Sequence, residues 1–140
     1  FMTRTDEREA MRKFFYEAWR KHKENLLVEP IEAMIIDIIL QHPEYHALFD
    51  NPQKIAADEF KESNPFLHIS LHLTIREQIN ADRPQGIRPI YETLCNTFQD
   101  RHTAEHRILE VLEHILWNAK ESGKLPDERI YLEMLRGINE

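Results

Sequence analysis

The chain is expected to be all-α: an antiparallel helical bundle with four main helical tracts plus a short C-terminal helix. Three observations predict this. Apolar residues recur with the helical period, only three glycines occur in 140 residues, and no segment alternates apolar and polar residues long enough for a strand. Leucine, isoleucine, glutamate, lysine and arginine dominate, and all of them favour helix. The length suits one domain, expected over residues 2–140, and is sufficient to bury a core without staples.

The first tract runs from Asp6 to about Lys23 and sets Met11, Phe14, Phe15, Ala18 and Trp19 on one side. The second begins at Pro30, a residue suited to a first helical turn, and continues through "IEAMIIDIILQ" to about Gln41. Pro43 should break it and leave only a short helical piece, "PEYHALF". The polar stretch from Asp50 to Ser63 reads as a connection with one helical turn at most. Asn64 then caps a third tract, "PFLHISLHLTIREQIN", which is apolar on more than one side and should be the most buried element. "ADRPQG" is a loop. Pro89 opens a fourth tract that could run to Ser122, with Gly123 as its left-handed cap. Such a helix would be about 50 Å long at 1.5 Å per residue, so a break near "FQDRH" with Asp100 as a second cap is the alternative. Pro126 and Asp127 start the last short helix.

Composition narrows the functional classes. The chain is 41% hydrophobic and 31% charged, as in ordinary globular proteins. Its longest apolar run, "MIIDIIL", is interrupted by Asp37 and falls far short of the roughly 20 residues that a membrane span needs. A net charge of −7 argues against nucleic acid as a partner, and the basic residues of the first tract alternate with acidic ones as on a solvated face. Phe1 ahead of Met2 reads as a cloning remnant. The start resembles no secretory signal, and the lone Cys95 cannot form an internal disulfide, so a reducing cytoplasm is expected. Cys95 is expected to be a small buried side chain rather than a nucleophile.

The chemistry-bearing signal is histidine. Eight histidines in 140 residues should give about 0.4 pairs at i, i+4 by chance, yet three occur: 42/46, 68/72 and 102/106. Residues four apart on a helix are neighbours about 5–6 Å apart at Cβ, so two imidazoles there can reach one metal ion. His68 and His72 continue into Ile75 and Ile79 on one inward stripe. In the fourth tract Ala104, Ile108, Val111, Ile115 and Ala119 mark the core direction, with His102, Glu105, Leu109 and Glu113 on its flank and His106 slightly farther round. Buried imidazoles and carboxylates are costly unless paired or coordinated. The expected site is therefore a transition-metal centre with His68, His72, His102 and His106, and with His46 and Glu105 as additional ligands. Pro43 leaves His42 just outside the helix that carries His46. Imidazole with carboxylate suits iron, zinc or nickel better than calcium or magnesium. Were a coordination position open, Glu105, Glu110 or Glu113 could serve as general base to a bound water. The alternative is a metal-free polar network with Glu105, Glu113, Asp37 or Tyr45, in a module that docks another protein or a second copy of the chain. His22 and His114, without an i+4 histidine partner, are expected at the surface or at helix ends. No organic cofactor, nucleic acid or membrane partner is expected.

Three resemblances bear on this reading. "HTAEH" is similar to the His-x-x-Glu-His of one class of zinc peptidases, but over five residues only, and such enzymes also need a distant carboxylate ligand and a cleft beside a sheet. "HRILE" and "HLTIRE" resemble the His-carboxylate spacings of hemerythrin-like di-iron bundles, although the motif order differs and the terminal His-x-x-x-x-Asp is missing. Finally "HPEYH", "NPFLHISLHLTIREQINADRPQGIR", "DRHTAEHRILEVLEHILWNAKESGKLPDERIYLEMLR" and the "FFYEAW" of the first tract together resemble a family of small bacterial proteins known only as a domain of unknown function. That likeness covers nearly the whole chain. It implies a single compact bacterial cytoplasmic domain in which "HISLH" and "HTAEH" are family features, and it assigns no catalytic role to any residue.

Overall fold

Proline, glycine and short polar side chains set the helix ends. A computed structural model describes residues 4–51 and 64–138, with side chains from residue 9 onward at the N-terminal end. The elements are α1 (Arg4–Lys23), α2 (Pro30–Leu40), a 3-10 turn (Pro43–Tyr45), α3 (His46–Asp50), α4 (Pro65–Ala81), α5 (Ile87–Phe98), α6 (Arg101–Ser122) and α7 (Glu128–Arg136). No strand occurs among the described residues, so the all-α expectation holds. The expected connection from Asp50 to Ser63 lies outside the described residues from position 52 onward. No described helix is long and apolar enough to cross a membrane.

The chain forms two compact units, Phe1–Ile69 and Ser70–Glu140. In the first, α1 packs on α2 and α3, with Phe15, Trp19, Ile35, Ile38, Ile39, Phe49 and Phe66 buried. Phe66 is the aromatic hub: its ring lies 6.4 Å from Phe15, 5.7 Å from Phe49 and 5.9 Å from Tyr16. The Trp19 indole N–H donates to Asp50 Oδ1 at 2.8 Å. The stripe read from the sequence is therefore narrower than expected, since Met11 and Phe14 are exposed while Phe15, Ala18 and Trp19 are buried.

Pro30 stands at the first position of α2, after Glu29, whose backbone N–H donates to Glu32 Oε1 at 2.8 Å in a capping box. Lys21 reaches the same Glu32 carboxylate at 2.8 Å. Hydrogen bonds from the backbone and Lys21 hold that carboxyl below its ordinary range. Asn64 caps α4 by accepting from the N–H groups of Phe66 and Leu67. From α4, the first unit takes Pro65 to Ile69 and the second takes the remainder.

In the second unit α5, α6 and α7 pack on one another around Ile75, Ile87, Leu94, Ile108, Leu109, Leu112 and Leu135, all buried. The tract from 89 to 122 is two helices rather than one. Gln99 adopts a left-handed conformation (φ 54°) and Asp100 restarts the helix, accepting from Thr103 N at 3.1 Å. The tract also opens at Ile87, two residues before Pro89. Proline is tolerated there because the first N–H groups of a helix have no intrahelical partner to lose. Gly123 (φ 70°) is the left-handed cap of α6, and Asp127 caps α7 through Arg129 N and Ile130 N. Cys95 is half-buried rather than fully buried.

Candidate metal centre

Each unit brings a pair of imidazoles into Nε2-to-Nε2 contact, and the local chain explains both. In the first unit Pro43 ends α2. The last carbonyls of a helix are short of intrahelical donors, and two imidazoles donate to two of them, the Ile39 carbonyl also accepting from the His42 backbone N–H at 3.0 Å. His42 Nδ1 donates to the Ile38 carbonyl at 2.7 Å, and His46 Nε2 donates to the Ile39 carbonyl at 2.9 Å. His42 is 3% exposed, and its Nε2 lies 3.0 Å from His68 Nε2 on α4. Tyr45 stacks on His42 with the two rings 8° from parallel, and it meets His68 edge-on. Burial pushes the Tyr45 hydroxyl pKa up.

In the second unit His72 is fully buried, at 0% exposed. Its Nδ1 donates to Glu105 Oε2 at 2.8 Å, and its Nε2 lies 3.1 Å from His106 Nε2. Arg76, one turn beyond His72 on α4, donates through Nε to Glu105 Oε1 at 3.0 Å. Burial pushes the Glu105 carboxyl up, but the hydrogen bonds from His72 and Arg76, with the Arg76 charge, outweigh it and hold the group below its ordinary range. The His102 ring lies 4.4 Å from His106 and 6.1 Å from His72, 13° from parallel to the latter.

Carbonyl and carboxylate oxygens only accept, so both His42 and His72 carry the ring proton on Nδ1. In the neutral ring this leaves a lone pair on Nε2. The two pairs are thus built alike: an imidazole anchored from behind aims its lone pair at a second imidazole. This is the outer-shell arrangement of metal-ligating histidines, which donate the remote N–H to a carbonyl or carboxylate.

Of the residues expected at the site, His72, His102, His106 and Glu105 come together in the second unit, and His68 pairs in the first. His46 instead serves the α2 terminus and stacks on Trp19, with ring centroids 4.9 Å apart. Glu110 and Glu113 are exposed, and Glu110 lies 3.8 Å from Arg107. Asp37 is also exposed, while His22 and His114 lie at the surface as expected. Arg76 and the part played by His42 went unread. The signal for Arg76 was its place one turn after His72, on the stripe that holds Ile75 and Ile79.

A family model described as a domain of unknown function (DUF1841) matches residues 7–137. No curated protein and no solved structure matches the chain.

Proposed function

Because the chain belongs to the DUF1841 family, whose description assigns no activity, we propose from side-chain geometry that it binds a transition-metal ion through paired imidazoles, foremost His72 and His106 of the second unit. The observation that carries this reading is the shared build of the two pairs, in which Nδ1 of His42 and of His72 is committed to an acceptor and Nε2 faces another Nε2. Scale agrees as well. Tetrahedral zinc with metal–nitrogen bonds of about 2.0–2.1 Å has ligand–ligand edges of roughly 3.3 Å. The pairs stand at 3.0 and 3.1 Å, so an ion requires an opening of only a few tenths of an ångström. Neutral imidazoles suit iron, zinc or nickel. Glu105, held by Arg76, orients His72 and raises its basicity, and it is not itself a ligand.

One observation favours a second reading, a metal-free polar network that stiffens a protein-docking module: among the described residues no buried side-chain nitrogen or oxygen lacks a hydrogen-bond partner. Elemental analysis of untagged protein purified without chelator separates the two. About one equivalent of iron, zinc or nickel, lost in the His72→Ala/His106→Ala double variant and kept in His22→Ala, supports the metal centre. Trace metal in the wild type, or full retention by the double variant, overturns it.

A further inference from the structure

We infer that His102 is the entry ligand of this site, taking an ion from solvent and passing it to His106 and His72; this rests on the metal reading above. His72 is sealed at 0% exposed, so an incoming hydrated ion cannot reach it directly. His102 is half-buried in the first turn of α6, one turn before His106. Its ring lies 4.4 Å from His106 and 6.1 Å from His72, yet it is not one of the two proposed donors. His106 is half-buried as well, with its ring 4.7 Å from His72, so of the two reachable imidazoles His102 is the one set farther from the sealed His72.

The surroundings suit a transient ligand. Asp100, whose carboxylate caps α6 through Thr103 N and Oγ1, is exposed two residues before His102, so a negative charge that attracts a dication stands close in the chain to the imidazole. The torsion that turns an imidazole about its Cβ–Cγ bond is broad, so the ring can swing without backbone movement. Each hand-over is a ligand substitution. One metal–nitrogen bond forms as one metal–water or metal–nitrogen bond breaks, and the oxidation state is unchanged.

The test uses the full chain stripped of metal, with Co2+ as the probe and its visible absorption as the readout in a stopped-flow mixer. His102→Ala should reach the wild-type spectrum and stoichiometry, but both Co2+ uptake and its extraction by EDTA should slow about tenfold. Affinity then stays unchanged, because an entry ligand lowers the barrier in both directions. Added imidazole should restore the rate in His102→Ala and leave the wild type unaffected, a rescue that a merely structural role does not give. His102→Gln, which keeps a polar side chain, gives the same readouts should the alanine variant lose helicity by circular dichroism. Wild-type rates in both variants overturn the entry role, as does a changed final spectrum, which makes His102 a resident ligand. A wild-type chain that binds no Co2+ removes the metal reading itself and this inference with it.

Discussion

The two imidazole pairs solve one problem with different backing. His42 leans on a backbone carbonyl at the end of α2, whereas His72 leans on the Glu105 carboxylate, itself held by Arg76. A carbonyl fixes ring orientation and tautomer and little more. A buried carboxylate adds a full charge, which strengthens the hydrogen bond and raises the basicity of Nε2, but its removal takes an acceptor from a guanidinium as well as from an imidazole N–H. The second unit therefore concentrates both the basicity and the risk, while the pair in the first is neutral and more forgiving.

Substitutions can break or sharpen this contrast. The largest effect is expected from Glu105→Ala, which leaves the Arg76 charge and the His72 N–H without their acceptor and should cost about 3–5 kcal/mol in urea unfolding. His42→Ala removes two neutral hydrogen bonds, to the Ile38 carbonyl and to His68, and some packing, so about 2 kcal/mol is expected in the same titration. Equal losses in the two variants would erase the distinction between the pairs. Glu105→Gln keeps an acceptor oxygen and gives up the charge. It should retain most of the stability and weaken metal binding about 10–100-fold by competition with a chelator, whereas an undiminished affinity would mean the charge plays no part. The smallest effect belongs to Asn64→Ala, which uncaps the helix carrying His68 and His72 and should cost about 1 kcal/mol in thermal or urea unfolding.

The helices were legible because their signals are local. Pro30, Asn64, Gly123 and Asp127 act where the sequence places them, each through a hydrogen bond or dihedral within a few residues. The break at Asp100 was readable only as an alternative, because an aspartate inside a periodic tract suits a solvated face as well as a cap. Spacing also carried much of the site: His68, His72, His102, His106 and Glu105 lie on helices where four residues make one turn. It misled at "HPEYH", where the same spacing crosses Pro43. There the 3-10 turn swings His42 toward Ile38 and its partner His68, and sends His46 to Ile39 and Trp19. Which glutamate meets His72 depends on α4 lying beside α6, and no periodicity states that.

Trp19 and Trp117 are the two tryptophans of the chain, and they occupy opposite surroundings, 4% and 59% exposed. Trp19 is packed against the rings of both His22 and His46, with centroids 5.2 and 4.9 Å away. The intrinsic fluorescence of the protein should therefore split into a red, acrylamide-quenchable part from Trp117 and a blue, shielded part from Trp19. With Trp117→Phe the chain becomes its own optical gauge of the first unit, read without dye or label.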